Sequence, residues 1–177
     1  MTKQNIKVVS WNINSIRIRL EQLKTIVAEL NPDIICLQET KCEDDKFPLG
    51  SVQELGYKYV AHRGQASYNG VAIISRVQFK ELIEKDFCGK NDCRYIGAEF
   101  NLSIKRKNVK LHNFYVPAGG DEPDINKNPK FKHKLDFLDE MYQHMKAQLA
   151  DDQYHIIVGD MNIAPHMNDV WSHRQLM

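Results

Sequence analysis

IKVVSWNINSIRIRLEQLKTIVAELNPDIICL, residues 6–37, reads as strand, helix, strand. Its first segment, 6–11, is short and β-branched, the composition of a strand. From Ser15 the apolar residues Ile16, Leu20, Leu23, Val27 and Leu30 fall four, three, four and three apart, which is one helical face. Ser15 stands where a side chain would cap the free N–H groups, and Asn31-Pro32 stops the helix. The run DIICL (33–37) is continuously apolar, as expected of a strand buried on both faces.

Beyond this unit a polar loop at 42–50 leads to a short helix, and strands follow at 57–61 and 70–75. Further strands are expected near 80–84, 94–100 and 109–116, with KRKN (105–108) as a charged hairpin tip. Short strands at this density favour antiparallel pairing. The loop PAGGDEPDINKNPK (117–130) is long for a plain connector and reads as a functional loop. Asn128-Pro129 is a cap followed by proline at the first helical position. The helix should run to about Leu149 with Phe131, Leu135, Leu138, Tyr142, Met145 and Leu149 on its buried face. A last strand, HIIV (155–158), runs into Gly159-Asp160-Met161-Asn162. Apolar strands and one-faced helices imply an α/β fold, a sheet core with helices outside. No repeat or linker divides residues 1–177, so one domain is expected.

Composition narrows the function classes. Among 177 residues, 24 basic and 23 acidic side chains leave a net charge of +1. That excludes a uniformly basic nucleic-acid wrapper and an acidic disordered chain, while a local basic face stays open. No run of apolar residues is long enough for a membrane span. The first residues lack a signal-peptide core, so a cytoplasmic protein is expected. Cys36, Cys42, Cys88 and Cys93 do not have zinc-site spacing and read as free thiols in a reducing compartment.

Four segments place polar residues directly after an apolar strand: SWNIN (10–14), LQET (37–40), NFYVP (113–117) and VGDMN (158–162). In open α/β folds the carboxyl ends of strands lie together at one edge, where ligands bind. Gathered there, these segments supply carboxylates, amides and a phenol, an all-oxygen set that suits Mg²⁺ or Mn²⁺ and argues against zinc. Glu39 follows the strand and is a candidate ligand; taken alone, it is also accounted for as a solvated residue opening a loop. Asp160 suits the removal of a proton from water, and Asn162 the donation of an amide hydrogen to a phosphoryl oxygen. An Asx turn accounts for the same pair. Tyr115 reads as a phosphate donor or as a satisfied strand tyrosine, and Asn12 as an oxygen ligand or a turn residue. His62, His112 and His155 read as structural. His166 and His173 have no neighbour that marks a general acid. Arg17, Arg19, His62-Arg63 and Lys127, Lys130, Lys132 and Lys134 are clusters that would track phosphates or form a solvated face.

In order, SWNINSIR (10–17), PDIICLQETK (32–41), NGVAIISR (69–76), NFYVPAGG (113–120), KLDFLDEM (134–141) and GDMNIAPHMNDVWSH (159–173) resemble the exonuclease III family of class II abasic-site endonucleases. That family lies within the endonuclease/exonuclease/phosphatase superfamily. The resemblance implies a four-layer α/β/β/α fold, a sandwich of two β-sheets with helices outside. It implies Mg²⁺-dependent cleavage 5′ to abasic sites, with 3′→5′ exonuclease and 3′-phosphodiesterase activity on double-stranded DNA. By motif, Asn12 and Glu39 are implied at the metal, and Asp160 and Asn162 at both metal and chemistry. Tyr115 is implied at the scissile phosphate, and Arg17, Arg19, Ser67, Tyr68 and Asn69 against DNA.

This chain departs from the family pattern in two places. Ala118 stands where many relatives have Asn. The family also continues past DVWSH to a further Asp and an Asp-His pair, which residues 1–177 do not contain. On that ground one expects the last strands of the second sheet to be missing, catalysis to be severely impaired and exposed sheet edges to pair with another copy. A phosphoesterase acting on a non-DNA substrate and a non-catalytic metal- or DNA-binding module remain as other readings.

Overall fold

The computed structural model describes residues 5–170 apart from 105 and 106, together with 172 and 174. Among the described residues eight strands form two four-stranded sheets. In the first, β1 (Val8–Asn12) lies parallel to β2 (Ile34–Gln38), and β4 (Tyr68–Ser75) pairs antiparallel with both β2 and β3 (Tyr59–Gln65). In the second, β5 (Phe79–Glu84), β6 (Tyr95–Ile104) and β7 (Lys107–Tyr115) run antiparallel, and β8 (Tyr154–Asp160) joins β7 in parallel. The helices are α1 (Leu20–Leu30), α2 (Leu49–Glu54) and α3 (Pro129–Gln148).

Strand alternation decides the layers. Along β2, Ile34 and Cys36 face the second sheet and pack with Val71, Ile73, Ile96, Ala98 and Phe100. Ile35 and Leu37 face the other way, into a core with Leu23 of α1 and Val52 of α2. Phe114 of β7 packs outward with Phe137 and Met145 of α3. Each sheet therefore has one face against its partner and one against helices, the four-layer arrangement expected. Burying β2 on both faces is what its unbroken apolar run required.

Polar staples fix how the sheets sit on each other. Asn113 of β7 is fully buried and donates from Nδ2 to the Leu37 and Ala72 carbonyls, at 2.9 and 3.0 Å. Its Oδ1 accepts from Gln38 Nε2 at 2.7 Å. On edge strand β3, level with Gln38 because both lie opposite Val71 of β4, Arg63 donates to the Lys85 and Tyr95 carbonyls and pairs with Asp86 at 2.8 Å. An unpaired amide or guanidinium here would be costly, so these bonds hold one register of sheet on sheet.

Beneath α3 a second polar line crosses the outer face of the second sheet. His144 Nε2 lies 3.0 Å from the Tyr95 hydroxyl, which lies 2.8 Å from His112 Nδ1. His112 Nε2 lies 3.0 Å from His155 Nδ1, and His155 Nε2 lies 2.9 Å from Asp151. One proton ordering satisfies all four bonds with every imidazole neutral: each group donates towards Asp151, whose carboxylate only accepts. Burial, reinforced by the neighbouring imidazoles, pushes the His112 pKa down to about 3. Burial pushes Asp151 up, but bonds from Lys110, His155 and the Gln153 amide outweigh it and bring its pKa to about 2.

The helices depart from the sequence reading in two ways. The first starts at Leu20, and Ser15 is no cap: it has φ +85° just before a turn at 16–18, and the Ser15 and Ile16 amides bond to the Glu39 and Thr40 carbonyls after β2. Ile16 is fully buried although it lies outside the helix, so the four-three stripe began in a loop that packs on the core. Asn31 does end α1, in the left-handed conformation, with its amide on the Val27 carbonyl. The second departure is in α3. Asn128 caps it as expected, accepting from the Lys130 and Phe131 amides. Its buried side chains, however, are Lys134, Phe137, His144 and Met145, while Leu135, Tyr142 and Leu149 are exposed. An apolar stripe misjudges this face because a lysine and a histidine with specific partners lie inside it. Lys105 and Arg106 of the hairpin tip, and Trp171 and His173 of DVWSH, lie outside the described residues.

Candidate active site

The two parallel pairs, β1 with β2 and β7 with β8, bring four strand ends to one edge of the sandwich. Asn12 is opposite Gln38 in one pair, and Tyr115 is opposite Asp160 in the other. Across the gap between the sheets, Asn12 Nδ2 donates to Glu39 Oε1 and to Asp160 Oδ2, each at 2.8 Å. The Tyr115 hydroxyl donates to the same Glu39 oxygen at 2.9 Å. Thus Asn12, Glu39, Tyr115 and Asp160, which are up to 148 positions apart in the chain, form one connected cluster.

The surrounding backbone holds these side chains in place. Ser15 N donates to the Glu39 carbonyl at 2.7 Å and Lys41 N to the Asn69 carbonyl at 2.9 Å. Val116 N donates to the Asp160 carbonyl at 2.9 Å. Gly159 lets β8 approach β7: it has φ +139°, and a Cβ there would lie 2.0 Å from the Phe114 carbonyl oxygen. Of the ten non-glycine residues with positive φ among the described residues, Asn14, Ser15, Glu39, Lys41, Ser67 and Asn162 lie in loops at this edge, and Asn69 lies at the start of β4. Such conformations cost of order 1–3 kcal/mol each and collect where a site has to be held in one geometry.

Electrostatics sort the groups. Burial pushes the Glu39 pKa up, but bonds from Lys41, Asn12 and Tyr115 outweigh it, so the carboxyl lies below its ordinary range and is charged. Burial and the Glu39 carboxylate push the Tyr115 phenol up, so it stays a protonated donor. Lys41 Nζ lies 2.8 Å from Glu39 Oε2 and donates to Asn14 Oδ1 at 2.6 Å. Glu39 therefore already holds one cationic group on the oxygen that Asn12 and Tyr115 leave free.

Asn162 is adjacent through its backbone. Its amide donates to Asp160 Oδ1 at 2.9 Å, the Asx turn that the sequence also allowed, and its Nδ2 donates to the Val116 carbonyl at 2.8 Å. Arg17, Ser67 and Tyr68 are exposed. Arg19 reaches back to the Asn14 carbonyl. Asn69 is nearly enclosed, with Nδ2 on the Asp92 carbonyl at 2.9 Å and Oδ1 unpaired. With Tyr68, Arg94, Lys130 and His133 it lines a cavity of about 490 Å³ beside Tyr115.

Sequence reasoning passed over three contributors. Lys41 ends the segment PDIICLQETK, where its neighbours in the chain mark no role for it. Arg94 is buried, lies over the Tyr115 ring at 4.7 Å and donates to the Tyr115 carbonyl at 3.3 Å. Lys134 reads in sequence as part of a phosphate-tracking or solvated cluster, but it is buried, with Nζ 2.5 Å from the Asn162 carbonyl and 3.3 Å from that of Ala118. Arg94 follows Cys93 directly and Lys134 lies in a basic run, so neither stood out in the sequence.

Among the described residues no group of three or more His, Cys, Asp or Glu forms a closed metal cage. The donors present are two carboxylates and amide oxygens. That set fits Mg²⁺, which is usually held by one or two carboxylates while keeping waters and substrate phosphates as its other ligands.

The model of the endonuclease/exonuclease/phosphatase family matches residues 9–176. Exodeoxyribonuclease III of Haemophilus influenzae is 33% identical over 168 residues, which cover 93% of this chain and 60% of the relative. Recombination repair protein 1 of Drosophila melanogaster is 29% identical over 92% of this chain. The structure of the 3′ phosphatase NExo from Neisseria, bound to a product DNA hairpin, superposes with a TM-score of 0.84 at 29% identity. It covers 98% of this chain and 64% of its own. An AP endonuclease from Archaeoglobus fulgidus superposes with a TM-score of 0.80 at 32% identity, over 97% of this chain and 63% of its own. The chain thus spans about three fifths of the length of the relative from Haemophilus.

Proposed function

The chain belongs to the endonuclease/exonuclease/phosphatase family, and from that premise we propose that it is a DNA repair nuclease of the exonuclease III type. It would hydrolyse the backbone 5′ to abasic sites and trim 3′ ends of duplex DNA in the cytoplasm, using Mg²⁺, with Mn²⁺ as a substitute. The observation that carries this reading is the bridging of Glu39 and Asp160 by Asn12 Nδ2, with the Tyr115 phenol on the same carboxylate. The identities to exodeoxyribonuclease III and to the AP endonuclease structure favour a DNA substrate over other phosphodiesters.

In this reading each group has one task. Glu39 and Asn12, with Asp160 and Asn162 beside them, would hold the ion, which would supply Lewis-acid polarisation of the phosphoryl oxygen and charge stabilisation for the leaving 3′-oxygen. Asp160 takes the proton from the attacking water as the new P–O bond forms and the bond to the 3′-oxygen breaks. It can do so because Asn12 and the Asn162 amide each occupy one of its oxygens and leave both with a free lone pair. Tyr115 stays protonated and donates to a non-bridging phosphate oxygen. Asn162 stabilises the charge that develops on the phosphoryl group. Arg17, Arg19, Ser67, Tyr68 and Asn69 face the flanking strand, with phosphate contacts from the arginines.

The test is single-turnover incision of an end-labelled duplex with one abasic analogue, with Mg²⁺ and with EDTA. Mg²⁺-dependent cutting on the 5′ side is expected, slow because residues 1–177 do not contain the Asp-His pair, together with its loss in Asp160→Asn. Cutting only of a phospholipid or phosphoinositide substrate would overturn the DNA assignment. Binding to the abasic duplex without cutting of any substrate would favour the non-catalytic module.

A further inference from the structure

Lys134 stands on the buried face of α3, nearly enclosed. Its ammonium donates to two backbone carbonyls, that of Asn162 at 2.5 Å and that of Ala118 at 3.3 Å. These carbonyls belong to different loops. One lies two residues after Asp160, and the other three residues after Tyr115. The approach is built into the neighbouring backbone: Gly119 has φ +91°, and a Cβ on it would lie 2.8 Å from Lys134 Cδ. The same helix is tied to the same loop at its start, where Asn128 Nδ2 donates to the Gly119 and Glu122 carbonyls.

Burying an ammonium away from carboxylate contact is expensive, and two neutral carbonyls are modest compensation. Burial pushes the Lys134 pKa down, opposed by the charge of Asp160. A leucine or methionine would satisfy packing at this position at lower cost, but it would leave both carbonyls unpaired and the loops independent. The hydrogen bonds beyond Lys134 form a short chain to the reacting groups. Asn162 N holds Asp160 Oδ1, Asn162 Nδ2 holds the Val116 carbonyl, and Val116 N holds the Asp160 carbonyl.

We propose that Lys134 is a positioning residue for the phosphodiester reaction, its buried ammonium clamping the loop after β8 to the loop after β7 so that Asp160 and Tyr115 address one phosphate. The inference rests on the reading of the site given above. Lys134 does not touch substrate in this account; it acts through the backbone of Asn162 and Ala118. Misplacing a reacting group by about 1 Å costs on the order of 100-fold in rate, and this clamp guards against a slip of that size.

Lys134→Met tests it, with Lys134→Arg as the conservative variant and Lys146→Met, exposed at the end of α3, as the control. In single-turnover and steady-state incision, Lys134→Met should lose about 100-fold in kcat with KM within about threefold, the pattern of an interaction that matters in the transition state. Lys134→Arg should recover most of the loss, because it keeps cationic donors on the carbonyls. Equal kcat in Lys134→Met and the control would overturn the proposal, as would a loss confined to KM. A second readout does not need turnover: amide hydrogen exchange of segments 116–120 and 159–163. In Lys134→Met both should speed up together by about tenfold or more, with the rest of the chain unchanged. Unchanged exchange in both segments refutes the clamp. Coupled acceleration in a protein that cuts no substrate supports the clamp and locates the failure in the proposed activity.

Discussion

Replacing Asn113 by Ala removes the side chain that joins the two sheets nearest the site. Asn113 is fully buried and makes three hydrogen bonds: Nδ2 to the Leu37 and Ala72 carbonyls and Oδ1 from Gln38 Nε2. At about 1 kcal/mol net for each bond, the loss is about 3 kcal/mol, and the cavity left by the side chain brings it nearer 4 kcal/mol. Gln38 is the least affected partner, since its Nε2 also reaches Ser10 Oγ and the Cys36 carbonyl, each at 3.2 Å. For a chain of this size each kcal/mol moves Tm by roughly 2–4 °C, so Asn113→Ala should melt about 10 °C lower. Calorimetry and urea titration both measure this, and the urea midpoint should fall with the slope unchanged. Asn113→Asp should be worse at pH 7, because a carboxylate oxygen then faces two carbonyl oxygens with no donor between them. It should recover part of the difference in acid, as the carboxyl protonates and donates again. A loss below about 1 kcal/mol in Asn113→Ala would refute the staple as a determinant of sheet packing, since one ordinary hydrogen bond would account for it.

Stability should fall on the acid side through the line of groups beneath α3. The folded pKa of His112 is about 3 against an ordinary 6.5, so between these values the unfolded chain binds the extra proton. Stability from this group is therefore full above pH 6.5 and is lost progressively as pH falls towards 3. The full window is worth about 5 kcal/mol as an upper figure; urea titrations from pH 7 to pH 4 that show no loss would contradict it. Gly159→Ala should be among the most damaging single changes, at about 4 kcal/mol or more, because its Cβ meets backbone rather than a movable side chain. Failure to accumulate as soluble protein, or a urea midpoint far below wild type, is the expected outcome, and a wild-type midpoint would contradict the close approach of β8 to β7.

The sequence by itself determined most of the elements and the polar residues that follow the strand ends. β-branched runs, the Asn128-Pro129 cap and the polar residues after each strand are local signals, written in residues that touch their neighbours in the chain. The same signals misled where a local pattern crossed an element boundary. Ser15 and Ile16 continued a helical stripe into a turn, and the buried face of α3 was misread because Lys134 and His144 are inside it. What only the tertiary structure decided is which groups meet. Asn12 bonds to both Glu39 and Asp160 because two parallel strand pairs, each in its own sheet, end at the same edge of the sandwich. That coincidence depends on the inter-sheet register set by Asn113, Gln38 and Arg63, bonds that span 22 to 76 positions of chain. A buried polar side chain is stable only when distant partners satisfy it, so its role cannot be read from its neighbours in sequence. Lys41, Arg94 and Lys134 were legible only once the fold had set the carboxylate of Glu39, the ring of Tyr115 and the carbonyl of Asn162 beside them.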